Sequence, residues 1–172
     1  MKIVVLNGSP RANGNTVAMI ASFEKGATEA GHTVTRIDVC EKQIAGCRGC
    51  EYCHTKGNGS CIQKDDMGQV IAELTSADML VLASPIYYFG LTGQLQCAIH
   101  RTYALGKLTH IKRTALIMSS GAADVYDGAI SEYHQAFTEW MNLEDMGIFT
   151  AYGSQNKSPR KLQELYNFGR SL

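Results

Sequence analysis

The chain has 172 residues, and its sixteen basic and sixteen acidic side chains give a formal net charge of zero. Charged residues make up 19% of the sequence and the apolar set 45%, which is too apolar for a disordered protein. The balanced charge gives no electrostatic reason to expect nucleic acid or an anionic membrane as a partner. The apolar run that ends at Leu6 is too short for a signal peptide or a spanning helix, so we expect a cytoplasmic protein.

Apolar and periodic segments alternate along the chain. Five apolar runs predict buried parallel strands at Lys2 to Leu6, Thr33 to Val39, Met79 to Ala83, Ala115 to Met118 and Gly147 to Tyr152. Helical periodicity predicts five helices: one capped by Asn15 or Thr16, a short one capped by Asp65 and Asp66, and three near residues 91–105, 129–143 and 159–168. This alternation predicts one α/β domain over residues 1–172 with a doubly wound parallel sheet.

The loop from Gly8 to Thr16 joins the first strand to the first helix and is rich in glycine and small polar residues. Free N–H groups at a helix N-terminus attract anions, and polar side chains in the loop add hydrogen bonds and charge. The sequence lacks the lysine of a triphosphate loop and the Gly-x-Gly-x-x-Gly dinucleotide fingerprint, so a terminal monophosphate fits best. A turn needed only for chain reversal is the alternative. The candidate phosphate-binding residues are Ser9, Arg11, Asn13, Asn15 and Thr16.

Two further segments follow the third and fourth predicted strands, at the edge of the sheet where the phosphate loop also lies. The first offers backbone N–H groups beside aromatic faces, which suits a planar ring with one polar and one apolar edge. The second has small residues that permit close backbone approach. Contacts within the core or between subunits are the alternative. The candidates are Pro85, Ile86, Tyr87, Tyr88, Phe89, Gly90, Ser119 and Gly121.

The long irregular segment 44–64 carries four closely spaced cysteines: Cys47, Cys50, Cys53 and Cys61. Cytoplasmic thiols are reduced, so a disulfide framework is not expected. Three cysteines at two-residue spacing with a fourth farther along suit a [4Fe–4S] cluster. Zinc, with His54 as an alternative ligand, and a reduced thiol-rich loop are the two other interpretations. The remaining polar residues suggest no catalytic acid, base or nucleophile.

Taken together, these motifs resemble the NADPH-dependent FMN reductase and iron-sulfur flavoprotein families. The resemblance rests on Asn7 to Arg11 followed by Gly14 to Thr16, on Ser84 to Gly90, and on the cysteine segment that ends at Lys64 to Met67. It implies a flavodoxin-like fold with strand order 2-1-3-4-5 and helices on both faces, FMN over the carboxyl ends of the strands, and a homodimer or higher homo-oligomer.

Two functions follow from the resemblance as expectations. The first is an oxidoreductase in which NAD(P)H reduces bound FMN, which then reduces a small acceptor such as a quinone or a flavin. The second is an iron-sulfur flavoprotein that transfers electrons to ferredoxin-like partners through a cluster on the four cysteines.

Overall fold

The five predicted apolar runs all form strands in the computed structural model, which describes residues 1–172. The strands pair in parallel in the order 2-1-3-4-5, as expected. The chain reverses direction across the sheet between β1 and β3, and ligands of open α/β sheets bind outside such a point. The strands are β1 (Lys2–Asn7), β2 (Thr33–Asp38), β3 (Met79–Pro85), β4 (Arg113–Ser120) and β5 (Glu144–Tyr152).

Five α-helices cover the two faces of the sheet: α1 (Asn15–Glu29), α2 (Met67–Leu74), α3 (Gly93–Arg101), α4 (Asp127–Tyr133) and α5 (Pro159–Ser171). Two predicted helices are composite. The segment after α3 tightens into a 3-10 turn over Thr102–Leu105, and α4 continues as a π-helix over His134–Trp140. None of the helices combines the length and the apolar composition of a membrane span.

Alternating side chains of the strands divide the core into two layers. Ile3 and Val5 of β1 belong to the layer that contains Phe23 of α1 and Leu165 of α5. Val4 and Leu6 point to the opposite face and join the layer that contains residues of α2, α3 and α4. Because both faces are covered, the central strands β1, β3 and β4 are buried on both sides, and continuous apolar runs were the correct signal for them. The edge strands β2 and β5 are partly exposed.

Helices α1 and α5 cross at close range on one face of the sheet. A Cβ atom on Gly26 would overlap the carbonyl of Tyr166, and one on Gly169 would overlap the carbonyl of Phe23. The two glycines therefore allow the helix backbones to touch, which fixes the position of α1. The N-terminus of α1 is the end that faces the candidate site.

The predicted helix caps differ from those in the structure. Gly14, with extended backbone, precedes α1, and no side chain caps this helix, so Asn15 and Thr16 were wrongly assigned as caps. Asp66 precedes α2 but also caps nothing. Its neighbour Asp65 does accept a hydrogen bond from the Met67 N–H at 3.2 Å. Helix α5 does have a side-chain cap: Ser158 accepts a hydrogen bond from the Lys161 N–H, and Pro159 occupies the first turn.

Candidate functional site

A cavity of about 210 Å³ opens at the carboxyl edge of the sheet, beside the switch point between β1 and β3. It collects residues from four separate loops, those after β1, β3, β4 and β5. The residues that line it are Ser9, Arg11, Gly14, Asn15, Thr16, Pro85, Ile86, Tyr87, Ser119, Ser120, Gly121, Gly153 and Asn156. The predicted loops of strands one, three and four therefore do meet at one place.

The loop from Gly8 to Thr16, here called the phosphate loop, is held in shape by hydrogen bonds from the neighbouring residue Asn7 and by close packing at Gly14. Asn7 is 1% exposed, and its side-chain oxygen accepts a hydrogen bond from the Ser9 N–H at 2.9 Å. Its amide nitrogen donates to Asp38 at 2.7 Å, which ties the loop to the end of β2. Gly14 is required because a Cβ atom there would lie 2.9 Å from the Arg11 carbonyl. The loop is thus preformed before any ligand binds.

The N-terminus of α1 presents unused hydrogen-bond donors to the cavity. No side chain caps this helix, and the first N–H groups of a helix have no partner within it. Thr16 and Ser119 are both buried, and their hydroxyl oxygens lie 2.7 Å apart. Arg11 is exposed beside them and makes no salt bridge. An anion in this cavity would meet uncapped N–H groups, hydroxyl groups and one free positive charge.

Tyr126 holds the loop after β4 in place. Its hydroxyl donates to the Ala151 carbonyl at 2.7 Å and lies 2.6 Å from the Ser120 hydroxyl. The ring of Tyr126 is buried beneath this loop. Burial also raises the pKa of this phenol, which keeps it protonated and able to donate.

The aromatic segment after β3 forms a tight turn. Tyr87 and Gly90 exchange two backbone hydrogen bonds of 3.0 and 3.1 Å, and the two central residues, Tyr88 and Phe89, have φ angles of 48° and 64°. Two left-handed central residues define a type I′ turn, which favours asparagine and glycine. Large aromatic residues in this conformation carry backbone strain, and such strain concentrates at functional sites.

The turn is only partly in the cavity. Pro85, Ile86 and Tyr87 line it, whereas Tyr88 and Phe89 project into solvent and are exposed. Predicted candidates that do not line the cavity are Asn13, Tyr88, Phe89 and Gly90. Asn13 is exposed, and its backbone carbonyl accepts a hydrogen bond from Lys157.

The segment after β5, Gly153 to Lys157, was missed by sequence reasoning. Gly153 and Asn156 line the cavity, and Lys157 Nζ donates to the Asn13 carbonyl at 2.9 Å. The signal was present, since the carboxyl end of a fifth parallel strand lies at the same edge as the other four. The polar turn at that point is therefore as strong a candidate for the site as the loops after β1, β3 and β4.

The four cysteines are not gathered into a ligand set. Cys47 and Cys50 are exposed, Cys53 is buried and Cys61 is half-buried. No three cysteine, histidine, aspartate or glutamate side chains in the structure are placed to hold a metal ion. Thiolates suit an iron-sulfur cube chemically, but their arrangement here does not fit one. Burial raises the pKa of the Cys53 thiol, which disfavours its thiolate form.

His54 has an ordinary structural role in the cysteine segment. Its Nε2 atom donates to the Tyr103 carbonyl at 2.9 Å, and its ring packs edge-on against that tyrosine with centroids 4.5 Å apart. The Tyr103 hydroxyl in turn donates to Glu51 at 3.0 Å. These bonds fasten the segment to the 3-10 turn that follows α3.

Both ends of the cysteine segment are fastened by Arg101, which is 2% exposed. Its guanidinium donates twice to Asp65, at 2.7 and 3.0 Å, and once to the Ala45 carbonyl at 2.9 Å. The hydrogen bonds from Arg101 are the main reason why the pKa of Asp65 lies below its ordinary value. Asp65, predicted as a helix cap, is therefore mainly the partner of a buried cation.

The chain is similar in sequence and in fold to several known proteins. An iron-sulfur flavoprotein of Archaeoglobus fulgidus is 35% identical over 112 residues, which is 65% of this chain and 50% of that protein. The NAD(P)H:quinone oxidoreductase of Methanothermobacter marburgensis superposes with a TM-score of 0.75 at 15% identity, over 99% of this chain and 96% of that one. An FMN-dependent NADH-azoreductase of Bacillus anthracis gives 0.69 at 18% identity, over 99% and 97%.

The two solved structures show the fold alone, which is flavodoxin-like as expected. The chain spans about half the length of the first curated relatives it matches. The family signature described as NADPH-dependent FMN reductase matches residues 1–157, nearly the whole chain. The phosphate loop, the aromatic turn and the loops after β4 and β5 all lie within that match. This protein belongs to the NADPH-dependent FMN reductase family.

Proposed function

We propose that this protein binds FMN at the carboxyl edge of its sheet and passes electrons from NAD(P)H to a small acceptor such as a quinone or a flavin. The observation that carries the proposal is the cavity itself. It combines the uncapped N-terminus of α1, the hydroxyl pair of Thr16 and Ser119, and the free cation Arg11. These groups suit a phosphate monoester with two negative oxygens.

The volume of the cavity indicates that it would enclose only part of FMN. A volume of about 210 Å³ is below the range of roughly 300–1,000 Å³ for sites that enclose a whole ligand. Bound FMN would have its phosphate among the groups named above, and its isoalloxazine ring would then lie beside Pro85 to Tyr87. Bound FMN would supply the hydride and electron chemistry, while these residues orient the ring and tune its polar edge.

The experiment is anaerobic mixing of the flavin-loaded protein with NADPH and, separately, with NADH. The proposal predicts bleaching of the flavin absorbance with at least one of them and its return when a quinone is added. A flavin band that neither nucleotide changes would contradict the reductase function. The Arg11→Glu variant serves as the matched test of the site, since it should lose the flavin without unfolding.

A second candidate is an electron-transfer flavoprotein that carries a [4Fe–4S] cluster and works with ferredoxin-like partners. The name of the Archaeoglobus fulgidus relative and the cysteine spacing favour it. Because the four thiols are not gathered here, the segment 44–64 would have to rearrange to bind a cube. Iron and acid-labile sulfide are measured after anaerobic purification, and a yellow protein with neither contradicts this candidate.

We also propose that two copies associate through the aromatic turn. Tyr88 is fully exposed and Phe89 is 65% exposed, beside a cavity too small to enclose the flavin ring. A second copy would bury both rings and shield the ring edge from water. Light scattering of the wild type and of a Tyr88→Ser, Phe89→Ser double variant tests this. A monomeric wild type would contradict it.

A further inference from the structure

Thr92 joins the phosphate loop to the end of β3 without lining the cavity. The residue immediately precedes α3 and is 1% exposed. Its hydroxyl donates to the Gly8 carbonyl at 2.9 Å. Its backbone N–H donates to the Ser84 hydroxyl at 3.0 Å, and that hydroxyl donates to the Pro85 carbonyl at 2.7 Å. One buried residue therefore holds both the first residue of the phosphate loop and the start of the aromatic segment.

The Thr92 side chain does not do what its position in the chain predicts. A threonine just before a helix usually caps it, by accepting a hydrogen bond from an N–H of the first turn. No side chain caps α3, and the Thr92 hydroxyl bonds to Gly8 instead. The approach is close, since a Cβ atom on Gly8 would lie 2.5 Å from Thr92 Oγ1 and 2.8 Å from Leu95 Cβ. Gly8 is therefore needed for this contact.

The bond from Thr92 fixes the entrance of the phosphate loop. The peptide unit between Gly8 and Ser9 is planar and trans, so its carbonyl and its N–H point in opposite directions. The carbonyl accepts hydrogen bonds from Thr92 and, at 3.1 Å, from Cys40 Sγ, while the N–H donates to the Asn7 side chain at 2.9 Å. Without the Thr92 hydroxyl, the carbonyl would keep only the weak thiol donor.

A second connection joins the same two segments at the other end of the phosphate loop. The Ile86 N–H donates to the Ser119 carbonyl at 2.8 Å, and the Ser119 hydroxyl lies 2.7 Å from the Thr16 hydroxyl. All three of these residues line the cavity, whereas Thr92 does not. A change at Thr92 therefore alters the spacing of the two segments without removing a group that a ligand would touch.

We propose that Thr92 is a positioning residue that sets the place of the flavin ring relative to the phosphate of FMN. This inference rests on the proposed function, in which the phosphate loop holds one end of FMN and Pro85 to Tyr87 orient the other. Because a chain of fixed length joins phosphate and ring, a shift of one segment against the other displaces the ring while the phosphate stays bound. A displacement of about 1 Å costs up to about a hundredfold in the rate of a reaction that needs close approach.

The FMN-saturated wild type, Thr92→Val and Thr92→Ser test the proposal. Visible circular dichroism of the bound flavin reports the surroundings of the ring, and stopped-flow mixing with NADPH or NADH reports the rate of flavin reduction. Thr92→Val should still bind FMN, but its dichroism spectrum should change and reduction should slow at least about tenfold. Thr92→Ser keeps the hydroxyl group and should match the wild type in both measurements.

Thr102→Val is the matched control. Thr102 is 3% exposed, and its hydroxyl donates to the Ile99 carbonyl at 2.7 Å at the other end of α3. This change removes the same kind of buried hydrogen bond and should lower stability much as Thr92→Val does, while dichroism and rate stay at their wild-type values. Ser84→Ala removes the hydroxyl between Thr92 and Pro85 and should reproduce the dichroism change, so it decides the question where Thr92→Val does not fold.

Three results would overturn the inference. The first is a dichroism spectrum and a reduction rate in Thr92→Val equal to those of the wild type. The second is an equal change in Thr102→Val, which would assign the effect to lost stability, and the third is an equal change in Thr92→Ser, which would assign it to packing. If neither nucleotide reduces the wild type, the reductase function fails, and dichroism alone still decides the role of Thr92. A wild type that binds no FMN would contradict both proposals.

Discussion

The hydroxyl oxygens of Thr16 and Ser119 lie 2.7 Å apart, although 103 positions separate the two residues in the sequence. Thr16 belongs to the first turn of α1 and Ser119 to the end of β4, and both are buried. One hydroxyl donates to the other, so the second hydroxyl keeps a free O–H group. A phosphate oxygen in the adjoining cavity can accept a hydrogen bond from that group.

Replacing Thr16 by valine removes one of the two paired hydroxyl groups while preserving the shape of the side chain. We expect the affinity for FMN to fall about tenfold, since one charge-assisted hydrogen bond is lost. Fluorescence titration of the apoprotein measures the effect. The exposed residue Thr75 provides the control, because Thr75→Val should leave FMN binding unchanged. Equal affinities in the wild type and in Thr16→Val would remove Thr16 from the site.

The strained turn after β3 predicts a gain in stability when its central residues are replaced. A Tyr88→Asn, Phe89→Gly double variant has the residues that a type I′ turn favours. At protein concentrations low enough to keep both proteins monomeric, relief of two left-handed aromatic residues should raise the free energy of unfolding by about 1–3 kcal/mol. Thermal and urea unfolding of the two proteins measure it. A lower melting temperature would show that the aromatic rings stabilise the turn more than its backbone destabilises it.

The crossing of α1 and α5 predicts that Gly169 does not tolerate a methyl group. A Cβ atom there would overlap the backbone of α1 at Phe23 and Ala27, so the helices would have to separate. We expect Gly169→Ala to lower the free energy of unfolding by about 1–3 kcal/mol, the usual cost of overpacking.

Gly68 in α2 supplies the matched control for this change. A Cβ atom at Gly68 meets nothing within 4 Å, and alanine is the better helix former. The Gly68→Ala variant should therefore gain up to about 1 kcal/mol in urea unfolding. A Gly169→Ala variant as stable as Gly68→Ala would mean that the helices are not in contact at this crossing.

The Arg101–Asp65 pair predicts a stability that depends on pH. The pKa of Asp65 lies below its ordinary value of 3.8 in the folded chain, so folding favours the ionised form. The contribution is complete above pH 3.8 and is lost as the pH falls through the lower, folded value. Urea unfolding of the wild type and of Asp65→Asn at pH 7 and near pH 3 measures the difference between them.

At pH 7 the Asp65→Asn variant should be less stable by about 3 kcal/mol, because it leaves a buried guanidinium without its counter-charge. The gap should narrow near pH 3. The exposed ion pair of Arg113 and Glu144 gives the control, since Glu144→Gln should change stability little at either pH. A gap that is constant across this range would contradict the predicted linkage.

Much of this fold was readable from the sequence because both faces of the sheet are covered. The central strands β1, β3 and β4 are apolar runs, whereas the edge strands β2 and β5 mix polar with apolar residues. The strand boundaries differ from the prediction by at most a few residues. The helix caps were not readable. Thr16 has the character of a cap, yet its hydroxyl bonds to Ser119, and Asp65 bonds to Arg101 from a distant helix. Tertiary partners of this kind leave no local pattern.

The candidate site was predictable where chemistry and strand ends coincide. Ser9, Arg11, Pro85 and Ser119 all line the cavity. Asn156 was overlooked because an isolated asparagine in a turn has the composition of any loop. Its position in the cavity wall is fixed by hydrogen bonds to the carbonyls of Ser120 and Gly153. These two carbonyls follow β4 and β5 and come together because the two strands pair.

The central claim is that the loop from Gly8 to Thr16 holds the terminal phosphate of FMN, and one comparison tests it directly. Riboflavin has the same ring and sugar-alcohol chain but lacks the phosphate. Apoprotein titrated with each flavin should bind FMN at least about a hundredfold more tightly, since several charge-assisted hydrogen bonds depend on the phosphate. Equal affinity for FMN and riboflavin would contradict the assignment of the loop.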